Sequence, residues 1–386
     1  MIIPMMFSRA ADLFFKIPLR QLAVYLYLIM LVRTGIWVMG SMPEQIVVVF
    51  SPFLNKIPFD QSHYVFWNYL GPLSAHLLFT PFHLSTPIAY VTPYFIYCLF
   101  FAAIGTALFC HLVTTRLDDH AARASLLIYF LLPVAGTTYF WVGMDGLTFL
   151  LLLLPFVMPR NAWWGAGIGF LLGLQHFEQG FLAYLAVLAS LYLTGKNAEA
   201  TDVSKPWATS VLGGILLGKL ALILWFSYID LNVASDRFSW MMDHERRTLF
   251  YAMLHPHVMF ASLMGVAWLV VGRLAFFRQA NLPFFVPFTV LLLLPFIVED
   301  ETRVFSLVAF PLLAYWILFN PKFLQSLEHD FLGLLVVLMI IVPWMWVWRG
   351  EPRWSAFPYD LGYAWAKVFD SPWLPDDLFR WVFHWE

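Results

Sequence analysis

The sequence predicts an all-α, polytopic integral membrane protein: one transmembrane helical bundle over residues 1–386, with about 11 spans. Three observations carry that expectation. Hydrophobic residues make up 61% of the 386-residue chain and charged residues only 12%, against roughly 45–50% and about 25% in soluble domains. Mean hydropathy is +0.74. The apolar residues also gather into runs, and a bilayer core of ~30 Å takes ~20 residues of helix to cross. A soluble enzyme and a disordered chain are both excluded. A formal net charge of −2 gives no reason to expect nucleic acid as a partner.

Apolar runs divided by charge or turn residues place the spans at 19–39, 88–112, 124–141, 147–158, 162–175, 181–194, 207–229, 252–272, 282–298, 304–319 and 331–348. The first follows Arg9, Lys16 and Arg20 with no A-x-A-like site after it, so it reads as a retained span rather than a cleaved signal. The second holds Cys98 and Cys110, the only cysteines. Twelve helical residues separate them by about 18 Å, too far for a disulfide. The fourth, fifth and sixth runs are short for a lipid-exposed helix and are expected to be half-buried, kinked or shielded. Lys219 lies inside the seventh and is expected to snorkel or to pair within the bundle.

Every short loop on one side holds Lys or Arg, and that side sums to +4 against −7 on the other. The positive-inside rule then predicts a cytoplasmic N-terminus and an outer C-terminus. A bacterial inner membrane is the expected location. The long segments 40–87, 230–251 and 349–386 all fall on the outer face, and loops on a rigid scaffold carry function. The longest inner loop, 195–206, reads as a simple polar linker.

The first outer loop is aromatic-rich and sparsely charged, which suits interfacial helices. Glu44 and Asp60 are its only acids. A carboxylate partly desolvated at a membrane surface suits a general base, so both are candidate catalytic residues. His63 and Tyr64 beside Asp60 are candidate substrate-binding residues. Asp145 in the turn Gly143-Met144-Asp145-Gly146 either caps a helix or points into a cavity. The next outer turn, Gln175-His176-Phe177-Glu178-Gln179, brings His176 and Glu178 to membrane depth, where polar groups are costly.

Arg237, Arg246 and Arg247 lie in an outer segment that reads as an amphipathic interfacial helix. The planar fork of arginine suits phosphate; internal pairing with Asp243 and Glu245 is the plain alternative. The tenth span opens Glu299-Asp300-Glu301-Thr302-Arg303-Val304-Phe305, followed by Pro311. Arg303 is expected to clamp a phosphate while Asp300 or Glu301 orients a sugar hydroxyl; otherwise it neutralises its neighbours. No metal motif or cofactor is expected, with a divalent metal left open.

These features together resemble the C-type superfamily of membrane glycosyltransferases. Asp60, or else Glu44, stands where that family has an acidic residue in its long first outer loop. Asp145-Gly146-Leu147-Thr148 before a Leu-rich span, then Arg160 and a glycine-rich span, is similar to the family's third-to-fifth-helix region. Arg303-Val304-Phe305 with Pro311 is similar to its late Arg-aromatic-Pro pattern. The family's Asp-containing pair just after the first span has no clear counterpart, and a large soluble C-terminal domain is not expected in these residues. The resemblance implies sugar transfer, with inversion, from a polyprenyl-phosphate-linked donor to a lipid or glycan acceptor among membrane lipids. An O-antigen-type polymerase using undecaprenyl-diphosphate-linked substrates, led by arginines, is the nearest alternative. A transporter or lipid flippase is the alternative from another class, against which stands the lack of an inverted repeat.

Overall fold

A computed structural model describes residues 2–37, 39, 42–52, 66–158, 161–194, 205–229, 253–276, 282–298, 300–348 and 350–355. The protein is helical and membrane-embedded in character. Helices α1 (Ile2–Lys16) and α2 (Leu19–Thr34) open the chain. Buried Arg123 donates to the carbonyls of Phe14 at 2.9 Å and Ile17 at 2.7 Å. It thereby satisfies acceptors left open at the C-terminus of α1, where a cation also suits the helix dipole. Gly35, at φ 75°, ends α2. The first long connection holds two short helices, α3 (Met42–Phe50) and α4 (Leu70–Phe79).

The bundle proper follows with α5 (Val91–Arg116), α6 (Asp119–Leu131), α7 (Pro133–Phe140), α8 (Asp145–Val157), α9 (Ala162–Thr194) and α10 (Lys205–Tyr228). It continues with α11 (Pro256–Met264), α12 (Trp268–Phe276), α13 (Leu282–Leu291), α14 (Glu301–Phe319), α15 (Pro321–Gln325) and α16 (His329–Ile341). A two-stranded antiparallel hairpin closes the described chain, β1 (Met345–Trp348) against β2 (Glu351–Trp354).

The count of about 11 spans is corrected. Among the described residues five helices are long and apolar enough to cross a membrane: Pro87–Arg116, Ala162–Thr194, Lys205–Tyr228, Pro256–Ala275 and Glu301–Phe319. The pair Asp119–Leu131 and Pro133–Phe140, bent by 48°, makes a sixth if it is one span. The apolar runs are real, but several are cut by local chemistry. Pro133 cannot donate to the α6 ladder. Gly265 breaks the eighth run with φ 51°. The eleventh run is helical only to Ile341, and its end, Met345-Trp346-Val347-Trp348, is a strand.

Helix α9 joins the fifth and sixth runs through a break at His176, with φ −159° and ψ 76°. Eight residues of straight helix rise ~12 Å, yet a Cβ built at Gly180 would stand 3.5 Å from the Cβ of Leu172. The chain therefore bends sharply at the break, and α9 is two arms rather than one straight helix. Lengthwise, the first arm packs on α10 through glycines. Gly165, Gly169 and Gly173 repeat every fourth residue, and a Cβ at Gly169 or Gly173 would collide with the carbonyls of Val211 or Ile215. Conversely, Gly214 and Gly218 on α10 meet the carbonyls of Ala166 and Phe170. Small residues let backbones touch, which is how helices associate where lipid offers no hydrophobic drive.

Helix α14 is the axis of the bundle, 83% buried over its apolar window against 39 to 44% for the other four long helices. Those others keep apolar stripes on the outside. Leu216, Leu220 and Leu224 on α10 are exposed at helical spacing, as are Ile96 and Phe100 on α5. Water does not tolerate such stripes on several helices at once; lipid does. The short α8 is buried along nearly its whole length, the shielding its 13 residues demand. Both cysteines are free.

Candidate functional site

The first turns of α8 and α14 and the break in α9 meet at one end of the bundle. Asp145 opens α8 and its side chain is 1% exposed. Its Oδ2 accepts from Nη1 of Arg303 at 2.8 Å. Asp300, three residues before Arg303, accepts from the Nε at 2.5 Å. One guanidinium is thus held between two carboxylates, in a site where the arginine side chain is 12% exposed. Low local dielectric makes such contacts strong and fixes the plane of the fork.

Gln175 ties three elements together around this triad. Its Oε1 accepts from the Gly71 N–H at 2.7 Å, and its Nε2 donates to the Met144 carbonyl at 3.1 Å and to Thr148 Oγ1 at 3.4 Å. His176 Nδ1 lies 3.5 Å from the same hydroxyl. The break in α9 therefore has a cause: its polar residues satisfy the starts of α4 and α8 rather than continuing a helix. Neighbouring Gln45 is fully buried, accepting from Tyr94 OH at 2.9 Å and donating to Met39 Sδ at 3.4 Å.

Three buried acceptors near this junction have no hydrogen-bond donor among the described residues: Asp145 Oδ1, Gln179 Oε1 and Asn68 Oδ1. Asp145 adjoins Met144, whose carbonyl Gln175 holds. Asn68 precedes Tyr69, whose N–H bonds the Leu174 carbonyl at 3.1 Å. Gln179 lies one turn beyond Gln175 on the second arm of α9. Buried acceptors without donors cost roughly 1–3 kcal/mol each. A ligand rich in hydroxyl groups would supply what they lack.

The remaining sequence candidates divide clearly. Glu301 is fully buried and faces the hairpin, accepting from the Gly350 N–H at 2.7 Å. Thr302 accepts from the Val347 N–H and donates to Ser262, each at 2.9 Å. These two residues seat the hairpin and α11 on α14, a structural task. Glu178 pairs with Lys219 at 3.7 Å, and the ammonium sits 3.4 Å from the centre of the Trp67 ring. Lys219 thus pairs within the bundle, as expected. Glu44 is half-buried in the first turn of α3. Asp60, His63, Tyr64, Arg237, Arg246 and Arg247 lie outside the described residues.

Sequence reading marks the polar turn that holds Gln175 but does not name Gln175 as a site residue, and it overlooks Gln45 and Thr148. The available signal was the same one that marks His176: an amide side chain at membrane depth needs partners. Among the described residues no three His, Cys, Asp or Glu side chains converge to hold a metal ion. Comparison of the chain with protein-family models, with curated proteins and with solved structures finds no match.

Proposed function

We propose that this protein is an inverting membrane glycosyltransferase, moving sugar from a polyprenyl-phosphate carrier to a lipid or glycan acceptor on the non-cytoplasmic face. The observation that carries the reading is the buried Asp145–Arg303–Asp300 triad beside acceptors that lack donors. The triad has a formal charge of −1, so a phosphate must take the place of one carboxylate on the guanidinium. Asp300 is the exchangeable one, with a side chain 19% exposed against 1% for Asp145. Phosphate on Arg303 releases Asp300 to compete with the first-loop acids Asp60 and Glu44 for the acceptor's proton. The acceptor oxygen then bonds the anomeric carbon as the carbon–phosphate oxygen bond breaks, and the phosphate leaves already charged against arginine. Asp145 Oδ1 and Gln179 Oε1 accept from sugar hydroxyls.

The test uses purified protein, a polyprenyl-phosphate sugar and mass spectrometry of candidate acceptors. A new glycosidic product is expected, and its loss by roughly 10²–10³ in Arg303→Ala. Arg303→Lys should restore little, because a lysine cannot make the two parallel bonds. Full activity of Arg303→Ala would remove the triad from the mechanism. The charge balance of the loops supports a cytoplasmic N-terminus, and an active C-terminal alkaline phosphatase fusion in a bacterial inner membrane would test it. The break in α9 favours a transporter as the second reading, since such proteins use discontinuous helices. Movement of the lipid across vesicles with no product formed would establish that reading instead.

A further inference from the structure

Arg33, in the last turn of α2, is 4% exposed. Its Nη2 donates to the Val342 carbonyl at 2.9 Å, but its Nε has no acceptor and no carboxylate pairs with it among the described residues. A buried guanidinium with one neutral acceptor is costly, and buried charges are normally paired. Arg33 lines a partly open cavity of about 290 Å³. Trp344 lines it too, with its indole N–H turned to Gly136 of α7. A guanidinium is a donor only. Apart from Ser262 the rest of the wall is mainly apolar, chiefly Leu131, Val266, Trp268 and Met345.

We infer that this cavity binds a phosphate-headed amphiphile, with the phosphate on Arg33 and the start of its hydrocarbon chain against the apolar wall. The volume is at the lower end of the ~300–1,000 Å³ of ligand pockets, enough for a headgroup and the first part of one chain. The site is separate from the triad: none of Asp145, Asp300 and Arg303 lines the cavity. The inference does not depend on the transferase reading.

The experiment measures thermal unfolding of the full chain in nanodiscs of zwitterionic lipid, titrated with dodecyl phosphate. A saturable rise in melting temperature is expected, because a ligand bound only by the folded state stabilises it. Dodecanol and inorganic phosphate should each give no rise. Arg33→Met should bind roughly 10- to 100-fold more weakly, the worth of a charge-assisted bond. Without ligand that variant should be no less stable than the wild type, since it removes an uncompensated charge. Should it fail to fold, Ala261→Phe, which fills the cavity and leaves Arg33 intact, must weaken binding at least tenfold. Equal protection by dodecanol or dodecanoate overturns the phosphate assignment. Full protection by inorganic phosphate alone overturns the amphiphile, and unchanged affinity in either variant overturns the site.

Discussion

Arg303 Nη1 donates to Asp145 Oδ2 at 2.8 Å, joining the first turns of two helices whose paired residues are 158 positions apart in the chain. The contact fixes where α8 enters the bundle relative to its axis, α14. It also concentrates charge where the polar break of α9 arrives. Stability and function meet in that one pair.

Asp145→Ala should cost about 3–5 kcal/mol, since it leaves a buried arginine without its most buried partner. The double variant Asp145→Leu with Arg303→Met should recover much of that loss. Thermal unfolding in detergent across the full mutant cycle measures the coupling, and additive losses would show that the pair is not coupled.

Asp300→Asn should leave the fold close to wild-type stability, because Asp300 is the more exposed carboxylate of the two. If Asp300 receives the proton, sugar transfer falls by the roughly 10²–10⁴ typical of general-base loss. The readout is turnover with donor binding measured separately. Unimpaired turnover would pass the base to Asp60 or Glu44, whose Asn and Gln variants complete the series.

Gly169→Ala should destabilise by about 1–3 kcal/mol, the range for overpacking a closed interface, because its Cβ would collide with the Val211 carbonyl and crowd the Ile215 N–H, backbone groups that cannot swing aside. Gly213→Ala on the neighbouring helix has nothing within 4 Å. It should stabilise by roughly 0.5–1 kcal/mol, as alanine outranks glycine in a helix. Opposite signs from two glycines on adjoining helices, read by chemical or thermal unfolding, are the expected result.

Trp67 and Lys219 should show a coupling of about 0.5–2 kcal/mol in a double-mutant cycle with Trp67→Leu and Lys219→Met, the worth of a cation over an indole face. Glu178→Gln should lower the stability of the wild type more than that of Lys219→Met. An equal effect in both backgrounds would mean the 3.7 Å contact carries no energy.

At the opposite end of the bundle, Asp118 caps α6 by accepting from the Ala121 N–H at 3.0 Å, and also accepts from Gln325 at 2.5 Å. These donors, the Ala121 N–H first, hold its carboxyl below the usual range. A depressed value means the stabilisation is fully present above the ordinary carboxylate pKa and is lost as pH falls through the folded one. Asp118→Ala should therefore cost about 1 kcal/mol at neutral pH. The gap from wild type should close in acid, as unfolding at a series of pH values would show.

The class of protein was legible in composition alone, because 61% hydrophobic residues with 12% charge cannot be dissolved by water. Single residues were legible too. Asp145, His176 and Arg303 each stand out as polar groups at membrane depth, and that cost is a property of the residue and the medium rather than of the fold. Helix count was less accessible. Hydropathy averages over a window, whereas Pro133 and Gly265 bend or interrupt the chain at one residue, and the runs 162–175 and 181–194, read as separate spans, are joined through His176 in one bent helix. The strand at Met345–Trp348 was hidden for a related reason: its tryptophans look like the end of a span until Glu301 and Thr302 hold the hairpin's backbone. Only the tertiary structure decided which charges meet. It sent Glu301 to the hairpin and Asp145 to Arg303, and it left Arg33 facing a cavity. Pairing between distant helices depends on how the α9 and α10 glycines, α14 and the polar break pack together, and packing is a three-dimensional quantity that no local pattern encodes.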